Sequence, residues 1–238
     1  GEVTLDKAFS KSINTVAVKL SEIVGREKVI KMAKSMGITS PLLNSPSVAL
    51  GTSEVNLLEM TVAYDVIANR GNGVFVHGIR SIENTSGKTL FMRKGVGPGR
   101  ILDTKTTKTM VKMLQSTIEN GTGRKAKLDR PAAGKTGTSQ SLRDAWFIGF
   151  TSEIVAGVWF GNDNDSPMKN ITGGTAPVML WKDFMKKAHT GLIAKRLDNY
   201  PSIDEALIDR KKIDELITRS KKIRKKRNVF EQILENFF

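Results

Sequence analysis

The densest group of chemically useful side chains is Ala133-Gly134-Lys135-Thr136-Gly137-Thr138-Ser139, a cation and three hydroxyls interleaved with glycines. Lys followed by Thr after a Gly suggests a phosphate loop. That motif needs a second Gly at position 129, where the chain has Asp129, and a helix opening after the lysine. The residues that follow are instead aromatic and β-branched, so the nucleotide reading falls. Read as a strand, the segment puts Lys135, Gly137 and Ser139 on one face and Thr136 and Thr138 on the other. Gly137 lets a ligand backbone approach closely. A cation with hydroxyls beside a glycine suits a carboxylate at the end of a peptide-like chain. Lys-Thr-Gly-Thr is also ordinary turn chemistry, and the segment alone leaves both readings open.

A second group lies far upstream. Ser12-Ile13-Asn14 offers a hydroxyl and a carboxamide two residues apart at the start of a helical pattern, and Ser12 read by itself is a helix cap. Other chemistries are excluded by residue type. The chain has no Cys, and its only histidines are His77 and His189, which removes disulfides, thiolate metal sites and a His-rich zinc site. Asn162-Asp163-Asn164-Asp165 resembles the start of a calcium loop, but Met168 stands where that loop needs Gly. It reads as a turn after a strand. Trp146 and Trp159 fall at strand positions and read as core or cleft wall rather than as a stacking platform for bases.

The elements that must hold these groups can be read from periodicity and punctuation. Phe9, Ile13, Val16, Leu20 and Ile23 predict one helix interrupted at Gly25, and Val29, Ile30, Ala33 and Met36 a second, stopped by Gly37. A loop over Thr39–Ser47 follows. Ser53 is the expected cap of a helix with Val55, Leu58, Val62 and Ile67 inward, ending at Gly71. Val74–Met92 reads as a small β excursion turning at Ser86-Gly87. Asp103 starts a helix with Met110, Val111, Leu114 and Ile118 on one face, closed by Gly121-Thr122-Gly123. The apolar runs Ala145–Phe150 and Ile154–Phe160, joined at Thr151–Glu153, predict an antiparallel hairpin buried on both faces, with the Lys135 segment as a third strand. Pro177 opens a last helix through Met179, Leu180, Phe184 and Met185. Helices, then strands, then a helix, without βαβ alternation, argue for the α+β class.

Apolar residues make up 39% of the 238 and charged residues 26%, a composition that excludes a fully disordered chain. No run approaches the roughly 18 apolar residues of a membrane span. Net charge is +14, but residues 210–227 alone contribute +8, leaving +6 for the other 220. The basic signal therefore belongs mostly to a tail and says little about nucleic acid as a partner of the main domain. In that tail Ile203–Ile217 is weakly amphipathic, Arg219–Arg227 is basic, and Val229–Phe238 sets Val229, Phe230, Ile233, Leu234, Phe237 and Phe238 on one helical face. It reads as a solvated extension, with a basic amphipathic element at a membrane surface or partner as the sharper alternative. The chain opens on Gly, with no signal-like leader, so it is expected to begin inside a longer protein.

Ser-x-Asn upstream of Lys-Thr-Gly is the pairing of penicillin-recognising serine transpeptidases and β-lactamases. The stretches "SKSINTVAVKL", "ALGTSEVNLLEMTVAYDVIANRGNG", "ENGTG", "RPAAGKTGTSQSLRDAWFIGFTSEIVAGVWFGND" and "PMKNITGGTAPVMLWKDFM" resemble, in collinear order from about Leu5 to Lys187, the transpeptidase domain of class A bifunctional penicillin-binding proteins. The resemblance implies an antiparallel sheet flanked by helices on both faces, with residues 1–192 as part of that domain and 193–238 as a tail outside it. It implies a peptidoglycan D,D-transpeptidase: a serine attacks the D-Ala-D-Ala carbonyl of a stem peptide, expels D-Ala and passes the acyl group to a neighbouring amine. Ser12 would relay the proton between the family's lysine base and the leaving or attacking amine, and Asn14 would donate to the substrate's amide carbonyl and hold that base in place. Lys135 would supply positive field, and the hydroxyls of Thr136 and Thr138 would take the substrate carboxylate beside Gly137. The Thr138 N–H would serve as an oxyanion donor. No metal or cofactor is implied. β-Lactams would enter the same site.

The family nucleophile belongs to a Ser-x-x-Lys motif upstream of Ser-x-Asn. The one match in this chain, Ser166-Pro167-Met168-Lys169, comes after Lys-Thr-Gly, in the wrong order. The chain is therefore expected to be a fragment, inactive alone, lacking the first strands of the sheet and the nucleophile helix. The strand at Ile154–Phe160 would then show an unpaired apolar edge. A glycosyltransferase domain and a membrane anchor are expected further upstream, which places the domain on the extracytoplasmic face of the membrane. A non-catalytic β-lactam-binding or scaffold derivative of the fold is the alternative.

Overall fold

A three-stranded antiparallel sheet stands at the centre, and its construction explains where the helices go. The computed structural model describes residues 2–94 and 97–197. The amphipathic and basic segments expected after Tyr200 lie outside the described residues, as does most of the expected tail from 193. Helices α1 (Leu5–Ser10), α2 (Asn14–Val24), α3 (Arg26–Ser35) and α4 (Leu57–Ala68) come first, then the hairpin β1 (Ser81–Glu83) and β2 (Thr89–Met92). Helix α5 (Thr104–Glu119) precedes the sheet strands β3 (Ala133–Thr138), β4 (Asp144–Phe150) and β5 (Val155–Gly161), and α6 (Ala176–Ala188) follows them. The strand order is β3-β4-β5.

Two ladder glycines make room for helices on opposite faces. Gly157, paired with Ile148, lies where a Cβ would come 2.4 Å from Thr61 Oγ1 of α4. Gly149, one step along β4, lies where a Cβ would come 2.9 Å from Trp181 of α6. Successive residues of a strand face opposite ways, so α4 covers one side and α6 the other. The α+β sheet with helices on both faces is as the sequence predicts.

The core has two parts joined by α5. Val111 and Leu114 pack with Val66, Ile67, Leu102, Ala133 and Phe150. Ile118 packs with Phe147, Val178, Trp181 and Met185. Phe147 and Trp181 meet edge to face at 5.0 Å between centroids. The indole N–H of Trp181 donates to Ala156 O at 3.1 Å, so this buried ring leaves no donor unsatisfied. The hairpin turn is tied to the end of α6 by the buried pair Thr151 Oγ1 and His189 Nε2, 2.8 Å apart.

Asp103 caps α5, accepting from Thr106 N at 2.9 Å, and Pro177 sits in the first turn of α6. The helix expected through Phe9 and Ile23 is two helices broken at Ser12, whose φ is +53°. The break resets the helical phase, and Ile23 on the expected inward face is 71% exposed. Ser53 does not cap α4. Asn56 does, accepting from Glu59 N at 2.9 Å, while Ser53 Oγ accepts from Leu43 N. Leu58 accordingly faces solvent, and the buried stripe of α4 is Ala63, Val66 and Ile67. The hairpin is not buried on both faces throughout: β4 is, but β5 is half-buried and carries Trp159 at 40% exposure. Strand β5 lies at one edge of the sheet, with β4 as its strand partner among the described residues.

Candidate functional site

The two motif segments, 123 residues apart, meet at one hydrogen bond: Lys135 Nζ donates to Ser12 Oγ. What puts Ser12 there is the end of α1. Ile13 N–H donates to Ala8 O at 2.9 Å and Ser12 N–H to Phe9 O at 3.1 Å, the paired bonds of a Schellman turn with Ser12 in the left-handed position. Ser12 is therefore not a helix N-cap. Ile13 holds that position for α2 without a side-chain bond, and the Ser12 hydroxyl is left to Lys135. The same turn closes α3 with Gly37 at φ +107°, which needs no Cβ to be accommodated. A serine in that conformation is strained by about 1–2 kcal/mol relative to an ordinary helical or extended one.

Lys135 comes from β3, also donates to Thr136 O at 3.2 Å, and lies 5.9 Å from the centroid of the Phe9 ring. Burial lowers its pKa from the ordinary lysine value to about 8, because desolvation disfavours the ammonium. The ammonium gives up its proton more readily than an ordinary lysine's, in direct contact with a hydroxyl.

The rest of β3 presents the other expected groups. Gly137 pairs with Trp146, and a Cβ on it would come 3.2 Å from Trp146 Cβ. Ser139 N–H bonds Asp144 O at 3.0 Å, which fixes the alternation of the ladder. Residues 135, 137 and 139 bond toward β4, and the backbone groups of Thr136 and Thr138 point to the other edge. The Thr138 N–H is thus available to an oxyanion at that edge. Thr138 Oγ1 accepts from Gly173 N at 3.0 Å, which leaves its O–H free to donate. Thr136 Oγ1 lies 2.5 Å from Thr122 Oγ1. The Ser139 hydroxyl accepts from Asp144 N at 2.7 Å, on the face of β3 opposite Thr136 and Thr138.

Asn14 opens α2, two residues after Ser12, with an exposed side chain that makes no hydrogen bond among the described residues. Ser166 stays within its own turn, where Asn162 Nδ2 donates to its hydroxyl at 3.1 Å. Thr122, Gly173 and Phe9 are site residues that motif reasoning missed. Thr122 and Gly173 sit in family-like blocks, but only the folded geometry shows what they touch. Among the described residues no cluster of His, Asp or Glu could hold a metal ion, and no helix is long and apolar enough to cross a membrane.

A family model described as the penicillin binding protein transpeptidase domain matches residues 1–176. Penicillin-binding protein 1A of Aquifex aeolicus is 40% identical over 189 residues, covering 78% of this chain and 26% of its own length. Penicillin-binding protein 4 of Bacillus subtilis is 32% identical over 195 residues, covering 79% of this chain and 31% of its own. The chain thus spans about a quarter to a third of these relatives. Among solved structures, penicillin-binding protein 1A from Haemophilus influenzae superposes with a TM-score of 0.76 at 22% identity, over 84% of this chain and 36% of that one. PonA1 from Mycobacterium tuberculosis, in complex with penicillin V, gives 0.75 at 22% identity, over 84% of this chain and 59% of that one. At these identities the structural likeness speaks to fold.

Proposed function

Because the chain belongs to the penicillin-binding protein transpeptidase domain family, we propose that its site serves a serine-type D,D-transpeptidase that cross-links peptidoglycan stem peptides and is acylated by β-lactams. The observation that carries this reading is the contact of Ser12 Oγ with a lysine of lowered pKa on a strand whose Thr138 hydroxyl keeps its proton free. In the reaction a serine oxygen attacks the penultimate D-Ala carbonyl, the C–N bond breaks, and D-Ala leaves as the amine, taking the serine proton. An acceptor amine then attacks the ester, the C–O bond breaks, and the serine regains a proton. Ser12 relays these protons at the reacting nitrogen and Lys135 holds the relay in position. Thr136 and Thr138 donate to the terminal carboxylate beside Gly137, the Thr138 N–H donates to the tetrahedral oxyanion, and Asn14 binds the substrate amide.

The attacking serine belongs, in this reading, to a Ser-x-x-Lys motif outside these 238 residues. Ser166 follows Lys135 in the chain, and its hydroxyl lies in its own turn, accepting from Asn162 Nδ2. Full activity then needs the longer polypeptide, anchored so that the domain lies on the extracytoplasmic face of the membrane. The test is penicillin labelling read by intact-protein mass spectrometry, on this chain beside a version extended upstream to a complete domain. The expected result is one β-lactam mass on the extended chain and none on this one. Labelling of this chain would move the nucleophile to Ser166 or another serine within it. No labelling of either would replace the enzyme with a non-catalytic relative of the fold.

A further inference from the structure

The Glu119–Gly123 segment closes α5 and lies outside both the Ser-x-Asn and the Lys-Thr-Gly motif. Its loop touches both halves of the site. On one side it seats the Ser12 turn: Thr122 N–H donates to Ser10 O at 3.1 Å, and Lys11 Nζ donates to Asn120 O at 2.5 Å. Gly121 lies so close that a Cβ there would come 2.3 Å from Ser10 O. On the other side Thr122 Oγ1 meets Thr136 Oγ1 at 2.5 Å. One short loop therefore holds the serine of the first motif and a hydroxyl of the second in a common frame.

The hydroxyl pair has a definite proton count. Each threonine carries one O–H, and the bond between them uses one of the two. When Thr122 donates, the Thr136 proton stays free for an acceptor outside the pair, and the bond polarises it further. Thr138 is prepared in a matching way, since Gly173 N–H fills one of its lone pairs and leaves its proton free. Two O–H groups on one face of the strand that carries Lys135 match the two oxygens of a carboxylate.

We propose that Thr122 is a positioning residue that orients the Thr136 hydroxyl toward the substrate's terminal carboxylate, and so sets the preference of the site for acyl donors with a free carboxylate over esterified ones. The proposal rests on the transpeptidase reading for its substrate class.

The test uses the full-length protein with benzylpenicillin and its methyl ester as probes, and reads the acylation rate of each by intact-protein mass spectrometry. Wild type is expected to react faster with the free acid. Thr122→Val is expected to lower the acid-to-ester rate ratio about tenfold, the effect of losing one hydrogen bond to a charged group, whatever smaller loss the two probes share. Thr122→Ser should keep the wild-type ratio. The double variant Thr122→Val/Thr136→Val should show the same acid-to-ester ratio as Thr136→Val alone, because the first residue acts through the second. Equal loss for both probes, in Thr122→Val or in a Thr122→Ala substitute for it, would overturn the proposal, as would a wild type indifferent to esterification. A wild type that takes up neither probe would fail the transpeptidase reading itself, and the carboxylate preference with it.

Discussion

Lys135 shows how a single side chain can be tuned by where the fold leaves it. Desolvation brings its pKa to about 8, against an ordinary value of 10.5, so the folded state disfavours the charged form. Below about pH 8 the lysine is charged in both states and the fold carries the full penalty. As pH rises from 8 toward 10.5 the folded state has released its proton while the unfolded state still holds it, and this residue's contribution to stability improves. Urea unfolding from pH 7 to 10.5 should show wild type gaining on Lys135→Met across that window, and parallel curves would contradict the shift. Nothing in the letters Lys-Thr-Gly announces such a value. The motif was legible because its residue types and order are specific. The burial that tunes it, and the contacts of Thr122 and Gly173, come from loops more than ten residues away in sequence and had no local signature.

At the scale of elements, the end of α1 matters most. The left-handed C′ position that holds Ser12 is filled by Gly37 at the end of α3, so the fold uses one turn twice with different residues. Ser12→Gly and Ser12→Ala both remove the hydroxyl, but only glycine relieves the backbone. The glycine variant should be the more stable of the two by about 1 kcal/mol in thermal or urea unfolding. Equal stabilities would mean the conformation is not strained. Punctuation made much of this layer readable: Gly37 stops α3, Asp103 starts α5 and Pro177 starts α6. The break at Ser12 was hidden because apolar spacing continues straight across it through Phe9, Ile13 and Val16. The cap of α4 is hidden for a similar reason: Ser53 and Asn56 are both good cap residues, and Ser53 Oγ is engaged by Leu43 N–H while Asn56 takes Glu59 N–H.

For the molecule as a whole, the contrast is between near and distant contacts. Strands β3, β4 and β5 are consecutive and joined by short turns, so the sheet can form from local pairings. The Ser12–Lys135 contact closes a loop of 123 residues, at an entropic cost about 2 kcal/mol above that of a ten-residue hairpin. The segment bearing Ser12 also has little buried surface to offset it: Ala8 and Ser10 in α1, and Ser21 alone in α2. Native-state hydrogen exchange should therefore find the amides of Ser12 and Ile13 opening at lower free energy than those of Phe147 and Ile148. Equal protection would show that the N-terminal helices open only with the sheet. If the difference is found, heat, mild denaturant or a destabilising substitution will disarm the protein before it melts. Far-ultraviolet dichroism of such a sample would still report a folded chain, while the serine and the lysine had already parted.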